Sequence, residues 1–315
     1  MKVVIMESLG ISEEEMREHQ KRFASQGVTF EEYERTADTE QLIAQAKDAD
    51  AMILANMPMP AEVIRACPKL KLIDVAFTGV DHVGIDAAKE AGITVCNASG
   101  YSNEAVAELA VGMAVSLARN IRDVEARCRA HGTKDGLVGF ELKGKTIGIV
   151  GLGKIGTRTA ELFSAFGAHI LATSRTHHED APKKIRQTDL ETLLQTSDIV
   201  VLHCPLTEET RGMIDMARLK LMKPSAFLIN LARGPVVVAA DLARALEEGV
   251  IAGAALDVFD KEPPLDETEP LLTAPHTLLT PHVAFATTQS MSLRAEIVFD
   301  NLSRFMEGRP ENVVC

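Results

Sequence analysis

No apolar run in these 315 residues approaches the ~20 that a membrane-spanning helix requires. Met1-Lys2-Val3-Val4-Ile5-Met6 is too short for a secretory signal and reads as a first strand, so a cytoplasmic location is expected, with no membrane partner. Basic side chains are in deficit: 33 Lys and Arg stand against 45 Asp and Glu, a net charge of -12. Nucleic acid and anionic lipid both repel such a body, and neither is expected to bind it. The five cysteines, Cys67, Cys96, Cys128, Cys204 and Cys315, show no C-x-x-C spacing. Their odd number suits buried thiols in a reducing compartment better than a disulfide frame or a zinc site, so no metal is expected. Short-period repeats and low-complexity segments are also missing. What remains is an ordinary globular balance, 46% hydrophobic and 25% charged, in a chain long enough for two domains with full cores.

The first hundred residues alternate strand and helix patterns. Short strands are expected at 3–6, 51–54, 72–76 and 93–95, separated by helical stretches. Ser12 and Glu15 form a capping box for a helix that runs to about Ser25 and stops at Gly27. From Asn103 to about Ala130 the apolar residues Ala105, Leu109, Val111, Met113, Val115, Leu117 and Ile121 cover more than one face, which predicts one long connecting helix buried between domains or subunits. A glycine-rich stretch, 132–144, follows it. Strands are then expected at 146–150, 169–173, 198–202, 226–231, 252–256 and 278–280 with helices between, a six-stranded doubly wound sheet. The stretch 287–306 returns to helical spacing and is expected to cross back onto the first domain.

Two patterns in the second half carry chemistry. Strand 146–150 runs straight into Gly151-Leu152-Gly153-Lys154-Ile155-Gly156 and a helical stretch that ends at Gly167. Gly151 permits the tight bend, Gly153 lets the backbone approach a pyrophosphate, and Gly156 allows helix and sheet to pack closely, while the amides from Lys154 and Ile155 onward face the anion. Three later strands each stop at a reactive side chain: Arg233, Asp257 and His282. In an open parallel sheet, ligands lie beyond the carboxyl ends of the strands, so all three are expected at one crevice. NAD sites of this type place a carboxylate ~20 residues after the glycines, at the second strand, to hold the ribose hydroxyl. Ser174-Arg175-Thr176 stands there instead, and a guanidinium flanked by two hydroxyls suits a 2′-phosphate, so NADP is expected over NAD. The alternative is a surface arginine beside a cofactor held by other contacts.

Five segments in order, Gly151 to Gly156, Leu202-His203-Cys204-Pro205-Leu206-Thr207, Asn230-Leu231-Ala232-Arg233-Gly234, Asp257-Val258-Phe259-Asp260-Lys261-Glu262-Pro263 and Thr280-Pro281-His282, resemble the D-isomer-specific 2-hydroxyacid dehydrogenases. Thr78-Gly79-Val80-Asp81-His82, Asn97-Ala98-Ser99-Gly100 and Ala105-Val106-Ala107-Glu108 resemble that family's substrate loop and interdomain crossing. The resemblance implies an α/β protein of two Rossmann-like domains. These are a doubly wound parallel sheet for the dinucleotide at 101–287, and a smaller flavodoxin-like substrate domain from 1–100 plus 288–315. It also implies hydride transfer between NAD(P)H and a small 2-oxo acid, with Cys204, Pro205, Leu231 and Ala232 beside the cofactor and Asp257 at its nicotinamide end.

The side chains suit those roles. The Arg233 guanidinium offers a planar fork for a carboxylate, with backbone amides of Thr78, Gly79 and Val80 available to its other end. The His282 imidazole is suited to giving the carbonyl oxygen a proton, and Glu262 to orienting the ring and favouring its charged form. Taken one at a time, Arg233, Glu262 and His282 read equally well as a turn arginine, a surface charge and a loop histidine. His82, Gly84 and Phe285 depart from the commoner family pattern; Phe285 narrows the pocket near the acid and points to a small substrate such as hydroxypyruvate, glyoxylate or pyruvate. Family members pair through the nucleotide domain, so a homodimer is expected, with the 105–121 helix as its contact. A formate- or phosphite-type dehydrogenase and a dinucleotide-sensing, corepressor-like binding protein are the alternative functions on the same fold.

Overall fold

The computed structural model describes every residue except Asp180, Ala181, Lys183 and Pro263. It divides into two compact units, Met1–Ser102 with Ala286–Cys315, and Asn103–Phe285. Among the described residues, no helix is long and apolar enough to cross a membrane.

In the first unit the elements follow as β1 (Lys2–Ile5), α1 (Glu13–Lys21), β2 (Thr29–Glu32), α2 (Thr39–Ala46), β3 (Ala51–Leu54), α3 (Ala61–Arg65), β4 (Leu72–Val75), α4 (Ile85–Glu90) and β5 (Thr94–Asn97). All five strands are parallel, in the order β2-β1-β3-β4-β5. That is the flavodoxin-like order. β3 and β4 are buried at every residue, as expected for inner strands covered on both faces. β2 was not foreseen, because an edge strand with mostly exposed side chains carries no apolar alternation to betray it. The Ser12 hydroxyl does accept from the Glu15 amide, 3.2 Å, but the helix it caps ends at Lys21 rather than near Ser25, and a separate 3₁₀ turn, Ala24–Gln26, leads to Gly27.

The second unit begins with α5 (Asn103–Ala118) and α6 (Ile121–Arg129), two helices where one was expected. Asn120 adopts a left-handed conformation, φ 51°, which stops α5. The two also differ in setting: α5 buries seven residues, whereas α6 buries none. Then come β6 (Thr146–Val150), α7 (Lys154–Ala165), β7 (His169–Thr173), β8 (Ile185–Gln187), α8 (Leu190–Thr196), β9 (Ile199–Leu202), α9 (Met216–Leu219), β10 (Phe227–Asn230), α10 (Ala239–Glu247), β11 (Gly253–Leu256) and β12 (Thr277–Leu279). The sheet has seven strands, not six, ordered β12-β11-β10-β9-β6-β7-β8. The addition, β8, spans only three residues at the sheet edge, too short for a periodic signal. Strand order reverses at β6, so β6 and β9 flank the topological switch point where doubly wound folds bind ligands. Finally α11 (Thr288–Met306) returns to the first unit and buries Phe299, Val298 and Leu302 there.

Register aligns the strand exits of the second unit. Val150 pairs with Thr173 on one side and Leu202 on the other, Leu202 with Asn230, Asn230 with Leu256, and Leu256 with Leu279. Each of those residues is the last, or for β7 the fifth and last, of its strand. Whatever follows them leaves along one edge.

Candidate active site

The glycine turn leaves that edge after β6. Gly151 has φ +100°, and a Cβ there would lie 2.7 Å from the backbone of His203 and Cys204; a Cβ on Gly156 would lie 2.0 Å from the Gly151 carbonyl oxygen. Neither position tolerates a side chain. At Gly153 a Cβ would meet nothing within 4 Å, so this glycine borders open space. It is also the N-cap of α7, and no side chain caps the helix. The first-turn amides at Lys154 and Ile155 therefore lack a side-chain acceptor beside a cleared approach, which fits a pyrophosphate.

Opposite the turn, His203 and Cys204 follow β9. The His203 ring is bonded through Nε2 to the Thr159 hydroxyl on α7, 2.9 Å, and burial pushes its pKa down to about 3. A ring that stays neutral cannot serve as a proton donor here; it fastens α7 to the exit of β9 instead. Burial likewise pushes the Cys204 thiol up to about 11, so it offers no thiolate.

At the exit of β7, the Ser174 hydroxyl donates to the Thr176 carbonyl, 2.5 Å, shaping the turn that carries Arg175. Glu209 was not anticipated in this neighbourhood. Its carboxylate is lowered in pKa first by the Thr207 hydroxyl, 2.6 Å away, and to a lesser degree by the charge of Arg175. The guanidinium thus already has an acidic neighbour.

Arg233 leaves β10 in extended conformation, φ -144° and ψ 143°. Its turn is held by Asn230, which is fully buried: the Asn230 Oδ1 accepts from the Ala232 amide and its Nδ2 donates to the Arg233 carbonyl, both 3.0 Å. The Arg233 Nη1 donates back to the Ala232 carbonyl, 2.9 Å. Leu231 and Ala232 are buried just beneath.

Beyond β11 and β12 the geometry is tighter. Asp257 is fully buried, and both its oxygens are engaged: Oδ1 accepts from the Thr280 hydroxyl at 2.5 Å and the Val283 amide at 2.8 Å, and Oδ2 from the Ala284 amide at 2.8 Å. Burial raises its pKa, and those hydrogen bonds pull it back. The Asp257 carbonyl also takes the His282 amide, 2.8 Å. Between these anchors His282 sits at φ 54°, a left-handed conformation that non-glycine residues adopt only when neighbours enforce it. Its Nδ1 lies 2.6 Å from the Glu262 Oε2, and the Phe285 ring meets its ring edge to face with centroids 5.6 Å apart. The imidazole side chain is 13% exposed against 44% for Glu262, so the ring is the more enclosed partner. A carboxylate oxygen only accepts, so the Nδ1 that faces Glu262 carries a proton.

In the first unit, Thr78, Gly79 and Val80 follow β4. The Asn97 Nδ2, at the end of β5, donates to the Thr78 carbonyl, 2.8 Å. Among the described residues, no acceptor within the chain meets the amides of Gly79 and Val80. The sequence pointed to Arg233, Glu262 and His282 through their motifs. The roles of Thr280 and Thr159 escaped it, because nothing in their local sequence reveals a partner on another element, and that of Asn230, whose partners lie two and three residues on, was not singled out either.

Comparisons with known proteins agree with the motifs. Residues 111–284 match the D-isomer specific 2-hydroxyacid dehydrogenase, NAD binding domain. A glyoxylate reductase of Thermofilum pendens is 42% identical over 291 residues, covering 89% of this chain and 85% of that protein. A glycerate dehydrogenase of Methylorubrum extorquens is 38% identical over 294 residues, 90% of this chain and 91% of the relative. The crystal structure of a glyoxylate reductase from Paecilomyes thermophila superposes with a TM-score of 0.90 at 27% identity, covering all of this chain and 98% of that one. The chain belongs to the D-isomer-specific 2-hydroxyacid dehydrogenases and is an oxidoreductase that uses a nicotinamide dinucleotide to interconvert 2-oxo and D-2-hydroxy acids.

Proposed function

We propose that the substrate is a small 2-oxo acid, glyoxylate or hydroxypyruvate, reduced to the corresponding D-2-hydroxy acid, and that the 2.6 Å contact between His282 and Glu262 is the acid that completes the reaction. Arg233, on the neighbouring strand exit but one, pairs with the substrate carboxylate and draws electron density from its carbonyl. The amides of Gly79 and Val80, beside Thr78, are assigned as donors to a substrate carboxylate. The glycine turn and strand exits of the second unit would hold a reduced nicotinamide dinucleotide, which would supply the hydride when bound. His282 gives the proton on Nε2 to the carbonyl oxygen, and Glu262 at Nδ1 holds the plane of the ring. In the reverse direction the neutral ring takes that proton back.

Asp257 serves this chemistry by shaping the loop on which His282 stands, besides the nicotinamide contact that the family implies. Gly151, Gly153, Lys154, Ile155 and Gly156 are assigned to the pyrophosphate, with Cys204, Pro205, Leu231 and Ala232 lining the cofactor. Arg175 with Ser174 and Thr176 favours NADPH, a preference that Glu209 tempers by competing for the guanidinium. The relatives' names and the Phe285 ring packed against His282 support the small substrates. Oxidation of NADPH and NADH followed by absorbance with glyoxylate, hydroxypyruvate, pyruvate and phenylpyruvate tests the reading: fast turnover is expected with the first two, and silence across the panel overturns it.

A homodimer is part of the same reading. The apolar faces of α5 are largely turned into the second unit, where Met113, Ala110 and Ala114 are buried, so the contact is better placed beyond it, where Ile121 at the start of α6 and Val138 in the 132–144 stretch are 47% and 80% exposed. Light scattering is expected to return twice the chain mass of 34.1 kDa, and the monomer mass would exclude the dimer.

A further inference from the structure

Glu7 lies just beyond β1, and only 5% of it is exposed. A carboxylate so enclosed must have its oxygens satisfied. Its Oε1 accepts from the amides of Ala55 and Met57, at 2.8 and 2.7 Å, immediately beyond β3. Its Oε2 faces Arg35 Nη1 at 3.2 Å, and the same guanidinium nitrogen donates to Asn56 Oδ1 at 2.6 Å. One carboxylate and one arginine thus fix three consecutive residues of the segment that leaves β3.

That segment is tied in turn to the loop that leaves β4. The Met59 amide donates to the His82 carbonyl, 2.8 Å, and the Gly84 amide to the Met59 carbonyl, 2.9 Å. The His82 Nε2 lies 2.9 Å from the Ala55 carbonyl oxygen, which only accepts, so this nitrogen is protonated. Asn97 holds the other end of the same loop at Thr78. Between the two fastenings stand Gly79 and Val80, whose amides no acceptor within the chain meets among the described residues. Successive backbone amides held in one direction make an anion-binding concavity.

We propose that Glu7 and His82 are positioning residues for the substrate: through the 55–57 segment they fix the direction of the Gly79 and Val80 amides, and so set the affinity for the 2-oxo acid carboxylate without touching it. The inference rests on the assignment of those amides to the carboxylate. The bland reading is that Glu7 merely holds the first unit together, in which case its loss lowers the melting temperature and leaves the kinetic constants of the folded fraction alone.

Steady-state kinetics with glyoxylate and hydroxypyruvate, on Glu7→Ala, Glu7→Gln, His82→Leu, His82→Gln and Gly79→Pro in the full chain, separate these readings. Glu7→Ala and His82→Leu are expected to raise KM for the oxo acid about tenfold with kcat within about twofold and KM for the dinucleotide unchanged, the signature of lost ground-state binding. The glutamine variants should recover most of the loss, since Gln at 7 still accepts both amides through its carbonyl oxygen and Gln at 82 still donates to Ala55. If circular dichroism shows that Glu7→Ala does not fold, His82→Leu set against His82→Gln carries the comparison. An unchanged oxo-acid KM in Glu7→Ala and His82→Leu, alongside a raised KM in Gly79→Pro, overturns the positioning role and leaves the carboxylate assignment standing. An unchanged KM in Gly79→Pro as well overturns both.

Discussion

Each unit shapes its working edge with a buried carboxylate that reaches from one strand exit to the loop of the strand beside it. In the first, Glu7 beyond β1 takes two amides beyond β3; in the second, Asp257 beyond β11 takes two amides and a hydroxyl beyond β12. The strands are direct neighbours in both cases. What differs is the loop being shaped. The β12 loop carries an imidazole with a carboxylate at 2.6 Å, whereas the 55–57 segment carries no acid or base. The same device therefore serves side-chain chemistry in one unit and backbone presentation in the other. The consequence should be visible in which kinetic constant each carboxylate controls.

The largest effect is expected at the imidazole itself. His282→Ala should lower kcat/KM by roughly 10²–10⁴-fold, as for removal of a positioned general acid. Arg233→Ala should fall similarly, with dinucleotide binding, followed by NADPH fluorescence, nearly intact in both; full turnover in either variant would remove that residue from the mechanism. Next is the loop beneath it. Thr280→Val deletes the hydroxyl that Asp257 accepts and should reduce kcat on the order of tenfold while leaving the oxo-acid KM within a few-fold, the opposite pattern to Glu7→Ala. A Thr280→Val variant that instead raises the oxo-acid KM at constant kcat would erase the contrast between the two edges.

Smaller again is the cofactor preference. Arg175→Ala should raise KM for NADPH by about tenfold and leave NADH little changed, because one charge-assisted contact to a phosphate is lost. Equal effects on both cofactors would return Arg175 to the surface. The smallest test concerns stability, and again separates the units. Asp74 on β4 is fully buried with one hydrogen bond, from Asn301 on α11 at 3.0 Å, and burial pushes its carboxyl up to about 8. The unfolded carboxyl loses its proton near pH 4, the folded one only near 8, so the folded state binds more protons between those values and its stability falls as pH rises across that window. Asp74→Asn should therefore melt higher than the wild type at pH 8 to 9 by calorimetry, with the gap closing toward about pH 4. A pH-independent difference would show that Asp74 ionises elsewhere.

Much of this is legible in the residues themselves. Nearly every inner strand of both sheets could be placed from apolar runs, and the glycine turn, Arg233, Glu262 and His282 from their motifs. The misreadings have physical causes. β2 and β8 are edge strands, one exposed and one of three residues, and neither generates periodicity. The break at Asn120 lies inside a stretch whose apolar spacing continues through Ile121, and only the backbone conformation at that residue divides α5 from α6. Glu209 stands 34 residues from Arg175 in the chain, far beyond any local pattern.

Sequence alone determined what is encoded within a few residues: the tight glycine bend, the helix that starts behind it, the strand ends that release reactive side chains, and the order of motifs that marks the family. Tertiary structure alone decided which carboxylates do chemistry and which build loops. Glu7 meets its amides across 48 and 50 residues, and Asp257 meets the Thr280, Val283 and Ala284 donors across 23, 26 and 27. Parallel strands cannot be joined by a tight turn, so an intervening connection always separates neighbours along the chain. A hydrogen bond between their exits is therefore written in the packing of the sheet and in no contiguous stretch of residues.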